Sequence, residues 1–327
     1  MASITAVGAY VPEDRLTNAD LEKMVDTNDD WIFARTGIKE RRILKDPTKG
    51  TSFMAIEAAR DLFNKKNINP KDIDAVILAT ITPDMNVAAT AAYVASEIGA
   101  ENAFGFDLQA ACSGFLYGMS TAASMIAGGR YKKVLLIGAD KMSSIIDYTD
   151  RSTCVIFGDG AGAVLFENND SGYGWKDEYF RSDGNGRAFL NIKAGGSLFP
   201  TSAQTLKHGM HSLYQDGKTV FKYAISEMTN VAEKIMDRNA LDARNIAYFV
   251  PHQANKRIID AIAKRVNLPD KQVMSNIEYF GNTTAATLPL LLNDYESKLS
   301  PGDRLVFAAF GGGFTWGAAY LTWAYNN

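Results

Sequence analysis

The chain has 327 residues, of which 46% are apolar and 22% charged, so it can build a substantial core and exceeds one ordinary domain. Its formal net charge of −3 offers no general attraction to phosphate backbones or anionic lipid, which argues against nucleic-acid and membrane partners. No apolar run is long enough to span a bilayer, and residues 1–7 lack the pattern of a signal peptide. We therefore expect a cytoplasmic protein.

Short apolar stretches alternate with helical patterns along the chain. Residues 74–80 and 103–108 have the continuous apolar character of buried strands, and residues 88–98 between them have helical spacing. A second series of apolar stretches, residues 246–250 and 304–309, follows near the C-terminus. This alternation predicts an α/β protein with largely parallel, buried strands.

The two series resemble copies of one unit. A shift of roughly 170 residues places Leu78 near Phe249 and Cys112 at Asn282. Each copy then contains a strand, a turn with a polar residue suited to chemistry, a long apolar helix and a further strand. We therefore predict a duplicated α/β unit, with Cys112 and Asn282 at corresponding positions.

The predicted halves are residues 1–170 and 218–327. Residues 171–217 between them are rich in Gly, Asn, Ser and Asp, which predicts an irregular connection that could cover a site. His208 and His211 lie in this connection, at a spacing that suits a metal pair on a helix. No Cys, Asp or Glu accompanies them at ligand spacing, so we expect surface histidines and no metal site.

Cys112 and Cys154 are the two cysteines of the chain, too few for a disulfide framework and without metal-ligand spacing. Cys112 follows a predicted strand and begins a helical pattern, so it would lie at a helix N-terminus, where the helix dipole favours a thiolate. The alternative for Cys112 is a small buried core residue. Cys154 lies in a strand-like run, for which we expect a core position.

His252 and Asn282 are two further candidates for an active site. His252 follows the apolar strand that ends at Val250, and Pro251 should stop a central strand there. The imidazole is therefore expected at a carboxyl strand end, where α/β proteins bind ligands. A helix-capping role is the alternative for His252, and Asn282 could equally be an N-cap. A Cys, a His and an Asn at turns of one α/β sheet favour a nucleophilic active site.

Six segments, in a fixed order along the chain, resemble those of the beta-ketoacyl-acyl-carrier-protein synthase III family, which belongs to the thiolase-like superfamily and initiates type II fatty-acid synthesis. The segments are TGIKERR (36–42), ACSGF (111–115), FGDGAGA (157–163), PHQAN (251–255), GNT (281–283) and GGGFTWG (311–317).

The resemblance implies a thiolase-like fold, in which two similar α/β halves form five layers in the order α-β-α-β-α. It implies a catalytic triad of Cys112, His252 and Asn282, and an oxyanion hole made by the backbone N–H groups of Cys112 and Gly312. The implied reaction is a decarboxylative Claisen condensation of a primer acyl-CoA, acetyl or short and branched, with malonyl-acyl carrier protein through an acyl-Cys112 intermediate. No cofactor is implied, since acyl-CoA is a substrate.

The resemblance also implies residues for binding. Val87 and Phe157 are expected at the acyl pocket. The family commonly has an aromatic residue followed by Pro where this chain has Val87 and Ala88, so we predict a wider pocket that accepts branched or medium primers. The expected CoA-binding residues are Trp31, Arg35, Arg151, Gly217 and Asn255.

Two macromolecular contacts follow from the same resemblance. A homodimer is expected through residues 103–108, whose Phe104 and Phe106 share one strand face. An acidic carrier protein needs a basic docking surface, for which exposed charge on an amphipathic helix is the alternative interpretation. The residues expected at the docking surface are Lys222, Lys256, Arg257, Lys264 and Arg265.

Three other functions remain open from the sequence. A ketosynthase or acyltransferase of secondary metabolism would keep the same three residues but deliver the acyl group elsewhere. A non-catalytic partner subunit would need the fold without the nucleophile, so the presence of Cys112, His252 and Asn282 argues against it. A cysteine hydrolase would require water at the acylated thiol.

Overall fold

The computed structural model describes residues 1–326. The strands are β1 Ala2–Tyr10, β2 Arg15–Thr17, β3 Glu40–Arg42, β4 Ala75–Ala79, β5 Phe104–Leu108, β6 Lys133–Asp140, β7 Gly160–Asn168, β8 Gly174–Ser182, β9 Leu190–Ile192, β10 Leu213–Gln215, β11 Tyr248–Pro251, β12 Arg304–Gly311 and β13 Thr315–Thr322. The α-helices are α1 Asn18–Leu21, α2 Asp29–Thr36, α3 Thr51–Lys66, α4 Thr90–Glu97, α5 Gly114–Ala127, α6 Arg151–Cys154, α7 Ala203–Lys207, α8 Gly217–Arg238, α9 Lys256–Arg265, α10 Ile277–Phe280 and α11 Thr287–Tyr295.

Two main sheets have the same topology. The first has the strand order β1-β7-β6-β4-β5, and the second has the order β11-β12-β13-β8. In both, one parallel pair, β4 with β6 or β11 with β12, continues into two antiparallel pairs. The first sheet differs only by β5, which pairs in parallel with β4 at the edge. The matching order supports the predicted duplication.

The prediction of largely parallel strands is wrong, because β1, β7, β8 and β13 run antiparallel to their neighbours. β7 and β13 are buried over most of their length because helices or strands cover both sheet faces. Continuous burial produces the same apolar sequence in antiparallel strands as in parallel ones.

β8 lies inside the predicted connection of residues 171–217, and it pairs along its length with β13. The connection is therefore not irregular throughout, since its first part completes the second sheet. We propose that the second half begins near Gly174 and that the irregular segment lies between β8 and α8.

The core has five layers. Strand residues alternate between two clusters: Ile77 of β4 faces the middle of the molecule, and its neighbour Leu78 faces outward. Helices α5 and α11 fill the middle layer between the sheets, α3 and α4 cover the first sheet, and α8 and α9 cover the second. This is the predicted α-β-α-β-α order.

The two turns that lead into the middle helices have matching backbone conformations. Ala111 and Thr284, each the first residue of a short 3-10 turn before α5 or α11, have positive φ angles of 47° and 51°. This match places Cys112 opposite Ala285, so Asn282 lies three residues before the position equivalent to Cys112. The predicted one-to-one match of Cys112 with Asn282 is therefore displaced at this turn.

Two local predictions are also corrected. β11 continues through Pro251, because β11 is the edge strand of its sheet and Pro251 faces a strand partner only on the β12 side, so its missing N–H breaks no central ladder. Cys154 ends α6 rather than lying in a strand, although it is buried in the core as expected.

Among residues 1–326, no helix is both long and apolar enough to cross a membrane.

Candidate active site

A cavity of about 250 Å³ lies where the turns of the two halves meet. Its lining brings together five of the predicted residues: Cys112, Phe157, His252, Asn282 and Gly312. Apolar residues not predicted from the sequence close most of the remaining wall. These include Ile81, Met142, Leu190, Leu213, Val220 and Phe310.

Cys112 lies in the 3-10 turn directly before α5, so it occupies the predicted helix N-terminus. The thiol is free and buried. Burial raises the pKa of the Cys112 thiol to about 12, and the nearby carboxylate of Asp140 acts in the same direction. Burial therefore opposes the thiolate that the helix N-terminus favours, and a thiol with this pKa is protonated at neutral pH.

His252 follows β11 and is held by its backbone N–H, which donates to the Ala308 carbonyl at 2.8 Å. Its Nδ1 lies 2.8 Å from the hydroxyl of Thr287 on α11. Burial lowers the pKa of His252 to about 3, so the imidazole is neutral at physiological pH. A neutral imidazole carries one N–H and one lone pair, and these two nitrogens can do different chemistry.

Asn282 is fixed by both its backbone and its side chain. The backbone pairs with the segment around Phe157, with Asn282 N–H donating to the Ile156 carbonyl at 3.0 Å. The side-chain Oδ1 accepts the backbone N–H of Thr284 at 2.9 Å. Because Oδ1 is the acceptor, the amide orientation is defined, and the Nδ2 group remains as a donor.

Asp140, which the sequence analysis did not identify, joins the two halves beneath the site. One carboxylate oxygen accepts four donors from the turn after β4: Thr80 Oγ1 at 2.9 Å, Ile81 N at 2.8 Å, and Thr82 N and Oγ1 at 3.1 and 2.9 Å. The other accepts the Thr284 hydroxyl and Ala285 N–H at 3.3 Å. Burial raises the pKa of Asp140, whereas the Thr284 hydroxyl and the other donors lower it.

Two glycines at the end of β12 differ in how closely they pack against Cys112. A Cβ added to Gly311 would lie 2.6 Å from the Cys112 backbone nitrogen, which is far inside van der Waals contact. A Cβ on Gly312 would meet nothing closer than 3.5 Å, at Leu190. Gly311, which sequence reasoning missed although it lies in the same glycine run, is therefore the position that has no room for a side chain beside Cys112.

The side chains predicted to bind CoA form a second cluster. The guanidinium carbons of Arg35 and Arg151 each lie 4.9 Å from the centroid of the Trp31 ring. Asn255 donates its Nδ2 to the Arg35 carbonyl at 2.9 Å, which connects this cluster to α9. The neighbour of Asn255, Ala254, lines the cavity.

Gly217 is the first residue of α8, two positions after Gln215, which lines the cavity. It is exposed, and an added Cβ would contact nothing within 4 Å. A ligand such as CoA can therefore reach Gly217, as predicted for a CoA-binding residue.

Val87 does not line the cavity of its own chain. It is fully exposed, with a positive φ of 78°, in the loop between β4 and α4. A contribution of Val87 to an acyl pocket therefore requires a second copy of the chain.

The basic residues predicted for docking lie on α8 and α9. Lys222, Arg257, Lys264 and Arg265 are exposed, and Lys256 is partly buried and paired with Asp260. The Arg257 guanidinium lies 5.2 Å from the ring centroid of Phe221, the residue before Lys222. Arg265 instead borders an open surface depression that also contains Glu233, Asp237 and Asp242.

The two histidines of the connection lie at the C-terminal end of α7. His208 caps this helix and is exposed, and the Nε2 of His211 lies 2.9 Å from the Thr205 hydroxyl. Among residues 1–326, no group of three or more His, Cys, Asp or Glu side chains is arranged to hold a metal.

Two family models match the chain. The model described as 3-oxoacyl-[acyl-carrier-protein (ACP)] synthase III matches residues 106–184. The model described as 3-oxoacyl-[acyl-carrier-protein (ACP)] synthase III C terminal matches residues 236–323. The first match contains Cys112, and the second contains His252 and Asn282.

Curated relatives match nearly the whole chain. The chain is 55% identical over 325 residues to beta-ketoacyl-[acyl-carrier-protein] synthase III of Phocaeicola vulgatus. This alignment covers 99% of this chain and 97% of the relative. It is also 55% identical over 326 residues to the protein of the same name from Chlorobium chlorochromatii, covering 98% and 99%.

Solved structures share the fold over the same length. The 3-oxoacyl-[acyl-carrier-protein] synthase III of Aquifex aeolicus superimposes with a TM-score of 0.91 at 38% identity, covering 99% of this chain and 100% of that chain. The priming beta-ketosynthase of the R1128 polyketide pathway gives a TM-score of 0.92 at 30% identity, covering 100% and 97%. These matches confirm the predicted fold class.

Proposed function

The chain belongs to the 3-oxoacyl-[acyl-carrier-protein] synthase III family, and from this membership we propose that Cys112, His252 and Asn282 are its catalytic residues. It is an acyl-transferring condensing enzyme that joins a primer acyl-CoA to malonyl-acyl carrier protein and starts fatty-acid synthesis. The observation that carries the residue assignment is the convergence of these three side chains on one cavity, from segments far apart in sequence.

The first half-reaction is a thioester exchange at Cys112. The Cys112 sulfur attacks the acyl carbonyl, the bond to the CoA sulfur breaks, and the proton of the thiol leaves with CoA. The new thioester keeps the acyl group activated. Since Cys112 precedes α5, the N-terminal end of this helix stabilises the negative charge that develops on sulfur as the proton leaves.

The second half-reaction begins with loss of carbon dioxide from the malonyl thioester, which leaves an enolate. Its oxygen needs hydrogen-bond donors that are already in place. The Nδ2 of Asn282 is such a donor, because Oδ1 of the same amide is held by the Thr284 N–H. His252, neutral and at the same cavity, supplies the other donor from its free ring nitrogen.

Carbon–carbon bond formation creates a second oxyanion, on the acyl carbonyl of Cys112. Its collapse breaks the bond to the Cys112 sulfur and releases the 3-oxoacyl thioester, and the Cys112 thiolate then takes up a proton from solvent. We assign the backbone N–H groups of Cys112 and Gly312 to this oxygen. Thr315 holds the two segments together, since its hydroxyl lies 2.8 Å from the Ala110 carbonyl and 3.2 Å from the Gly312 carbonyl. Removing one oxyanion donor typically costs about two to three orders of magnitude in rate.

For acyl-CoA, we assign the adenine end to Trp31, Arg35 and Arg151. The planar guanidinium groups already lie near the indole, and Arg also pairs with phosphate. The arm would run from this cluster past Asn255 and Gly217 into the cavity, since the flanking Ala254 and Gln215 line it. No cofactor has a role in this scheme.

The carrier protein is assigned to the exposed cations at the α8–α9 face. Arg257 lies against the ring of Phe221, the residue before Lys222 on α8, and Lys264 lies two turns further along α9. Arg265 is the weakest member of this group, because acidic residues share its depression.

A homodimer through β5 is part of the proposal. β5 is an edge strand, and Phe104 on it is 45% exposed while packing against Tyr131, with ring centroids 5.4 Å apart. Exposed apolar edge strands favour pairing with another chain.

A second copy would also bring Val87 to the acyl pocket, where its small side chain should admit branched or medium primers. A monomer in sedimentation, or strict acetyl preference in a primer competition, would contradict these assignments.

The test of the assignment is the intact mass of the protein after mixing with a panel of acyl-CoAs, followed by malonyl-acyl carrier protein. Wild type should gain one acyl group, and Cys112→Ala should gain none. Adding the malonyl substrate should then release a 3-oxoacyl product. Acylation of the Cys112→Ala variant would refute the assignment of Cys112 as the nucleophile. Release of the free acid, instead of a condensation product, would indicate a cysteine hydrolase.

A priming ketosynthase of secondary metabolism is the second candidate, because the R1128 enzyme shares the fold at 30% identity over the whole chain. It differs in which carrier protein receives the acyl group. Condensation rates with the fatty-acid carrier protein and with polyketide carrier proteins, measured in parallel, separate the two functions. The higher identity to the fatty-acid enzymes favours the first.

A further inference from the structure

The hydrogen-bond partner of His252 determines which of its two nitrogens carries the proton. Nδ1 lies 2.8 Å from the Thr287 hydroxyl, in a buried position. Nε2 has no hydrogen-bond partner among residues 1–326, and His252 borders the cavity. If Nε2 carries the proton, it can donate to a substrate oxygen. If Nδ1 carries it, Nε2 presents a lone pair and can act only as a base or acceptor.

Thr287 has one hydroxyl proton and two nearby acceptors. Its Oγ1 lies 3.0 Å from the Thr284 carbonyl and 2.8 Å from Nδ1 of His252. The Thr284 carbonyl already accepts the backbone N–H of Thr287 at the start of α11. This carbonyl is therefore satisfied without the hydroxyl, whereas Nδ1 has no other partner in the described part of the chain.

We propose that Thr287 is a positioning residue whose hydroxyl donates to Nδ1 of His252 and so keeps the imidazole proton on Nε2. The inference deepens the proposed function, because only this tautomer makes His252 a donor to the enolate oxygen beside Asn282. The opposite arrangement, with Nδ1–H donating to Thr287 and Thr287 donating to Thr284, would make His252 a base for Cys112 instead.

Thr284 links this arrangement to the other donor of the site. Its backbone N–H holds Oδ1 of Asn282, its hydroxyl is bound by Asp140, and its carbonyl accepts from Thr287. One short segment therefore orients both the Asn282 amide and the His252 ring. Neither contact is visible in the sequence, since Thr287 lies 35 residues from His252.

The direct test is the tautomer of His252 in the wild-type protein, read from proton–nitrogen correlations of ¹⁵N-labelled imidazole rings. The chain has three histidines, and loss of one signal set in His252→Gln assigns the relevant ring. The proposal expects an Nε2–H, neutral ring at pH 7. An Nδ1–H ring would overturn it, whether or not the enzyme condenses its substrates.

The matched variants are Thr287→Val, which removes the hydroxyl at nearly constant shape, and Thr287→Ser, which keeps it. Condensation should fall by at least about tenfold in the Val variant, and by more than acyl loading does, since a wrong tautomer in a Ser-His-Asp site costs about four orders of magnitude. The Ser variant should recover most of the rate and the Nε2–H signal.

The controls separate this proposal from the function on which it depends. A folded Thr287→Val enzyme with wild-type condensation would overturn the positioning role. Equal losses of loading and condensation in both variants, with lowered thermal midpoints, would show a purely structural role and overturn it as well. If wild type fails to load or condense, the proposed function fails, and the ring signals still decide the tautomer. If the Val variant does not fold, the wild-type spectrum decides.

Discussion

Gly311 leaves no room for a side chain beside the backbone nitrogen of Cys112. We expect Gly311→Ala to lower acyl loading of Cys112 by at least about a hundredfold, because its new methyl would lie 2.6 Å from a backbone nitrogen that we assign to the oxyanion hole. The measurement is the rate of mass gain with acyl-CoA.

The neighbouring glycine is the matched control for this prediction. Gly312→Ala keeps its N–H, and the added methyl would make only ordinary contacts, so the loss should be much smaller. Equal losses in the two variants would contradict the assignment of the close approach to Gly311.

Burial of neutral His252 should make stability depend on pH. The folded pKa of His252 is about 3, because burial disfavours the charged ring, and it titrates in an unfolded chain near its ordinary value of 6.5. Between these values the unfolded chain binds more protons, so the free energy of unfolding falls as pH falls, by up to about 1.4 kcal/mol per pH unit. Above pH 6.5 the ring is neutral in both states, so it no longer lowers the free energy of unfolding.

Denaturant midpoints of wild type and His252→Gln at pH 7.5, 6.5 and 5.5 measure this effect. The wild-type midpoint should fall more steeply below pH 6.5, because the variant lacks the titrating group. Parallel pH profiles would mean that the pKa of the His252 ring is the same in the folded and the unfolded protein.

The turns that end β4 and precede α11 are joined through the carboxylate of Asp140, which is the C-terminal residue of β6. Both carboxylate oxygens accept from at least two donors. In Asp140→Asn, whichever way the amide turns, at least two donors face an NH₂ group. We expect a loss of about 3 kcal/mol in the free energy of unfolding, together with slower condensation, because Thr284 orients Asn282.

Asp147→Asn is the control for Asp140→Asn. Asp147 is exposed, and within residues 1–326 its carboxylate accepts only from Thr149, at 2.8 and 2.7 Å, in a local turn that asparagine can also form. Its effect should stay within about 0.5 kcal/mol. If Asp140→Asn is equally mild in chemical denaturation, the carboxylate does not hold the two turns together.

Net charge and local charge have opposite signs in this molecule, since an acidic chain presents exposed cations at the α8–α9 face. We expect Arg257→Glu to raise the KM for malonyl-acyl carrier protein by about tenfold at low ionic strength, with little change in kcat, because rim charges act on encounter. The effect should shrink as salt is added.

Arg60→Glu makes the same change in net charge on α3, in the outer layer that covers the other sheet. It should leave the KM for the carrier protein near the wild-type value. Similar KM changes in both variants would show that net charge, rather than the α8–α9 face, governs carrier-protein binding.

Much of this protein could be read from local patterns. Apolar strands, helical spacing and a repeat of roughly 170 residues predicted two α/β halves, because backbone periodicity is set by nearby residues. Reactive side chains at strand ends predicted one shared site, since turns are where an α/β sheet leaves side chains free to bind. Strand direction could not be read, because β7 and β13 are buried like parallel strands yet pair antiparallel.

The finer chemistry depends on contacts between segments far apart in the chain. Asp140 reaches Thr284 across 144 positions, and Gly311 meets Cys112 only because the two halves pack against each other. Whether a buried group is paired depends on which side chains the packed layers bring within about 3 Å, and periodicity carries no such information. The residue types and their order therefore indicated the class of reaction, whereas the packing of the halves decided which glycine, carboxylate and hydroxyl lie beside the three residues that we assign to it.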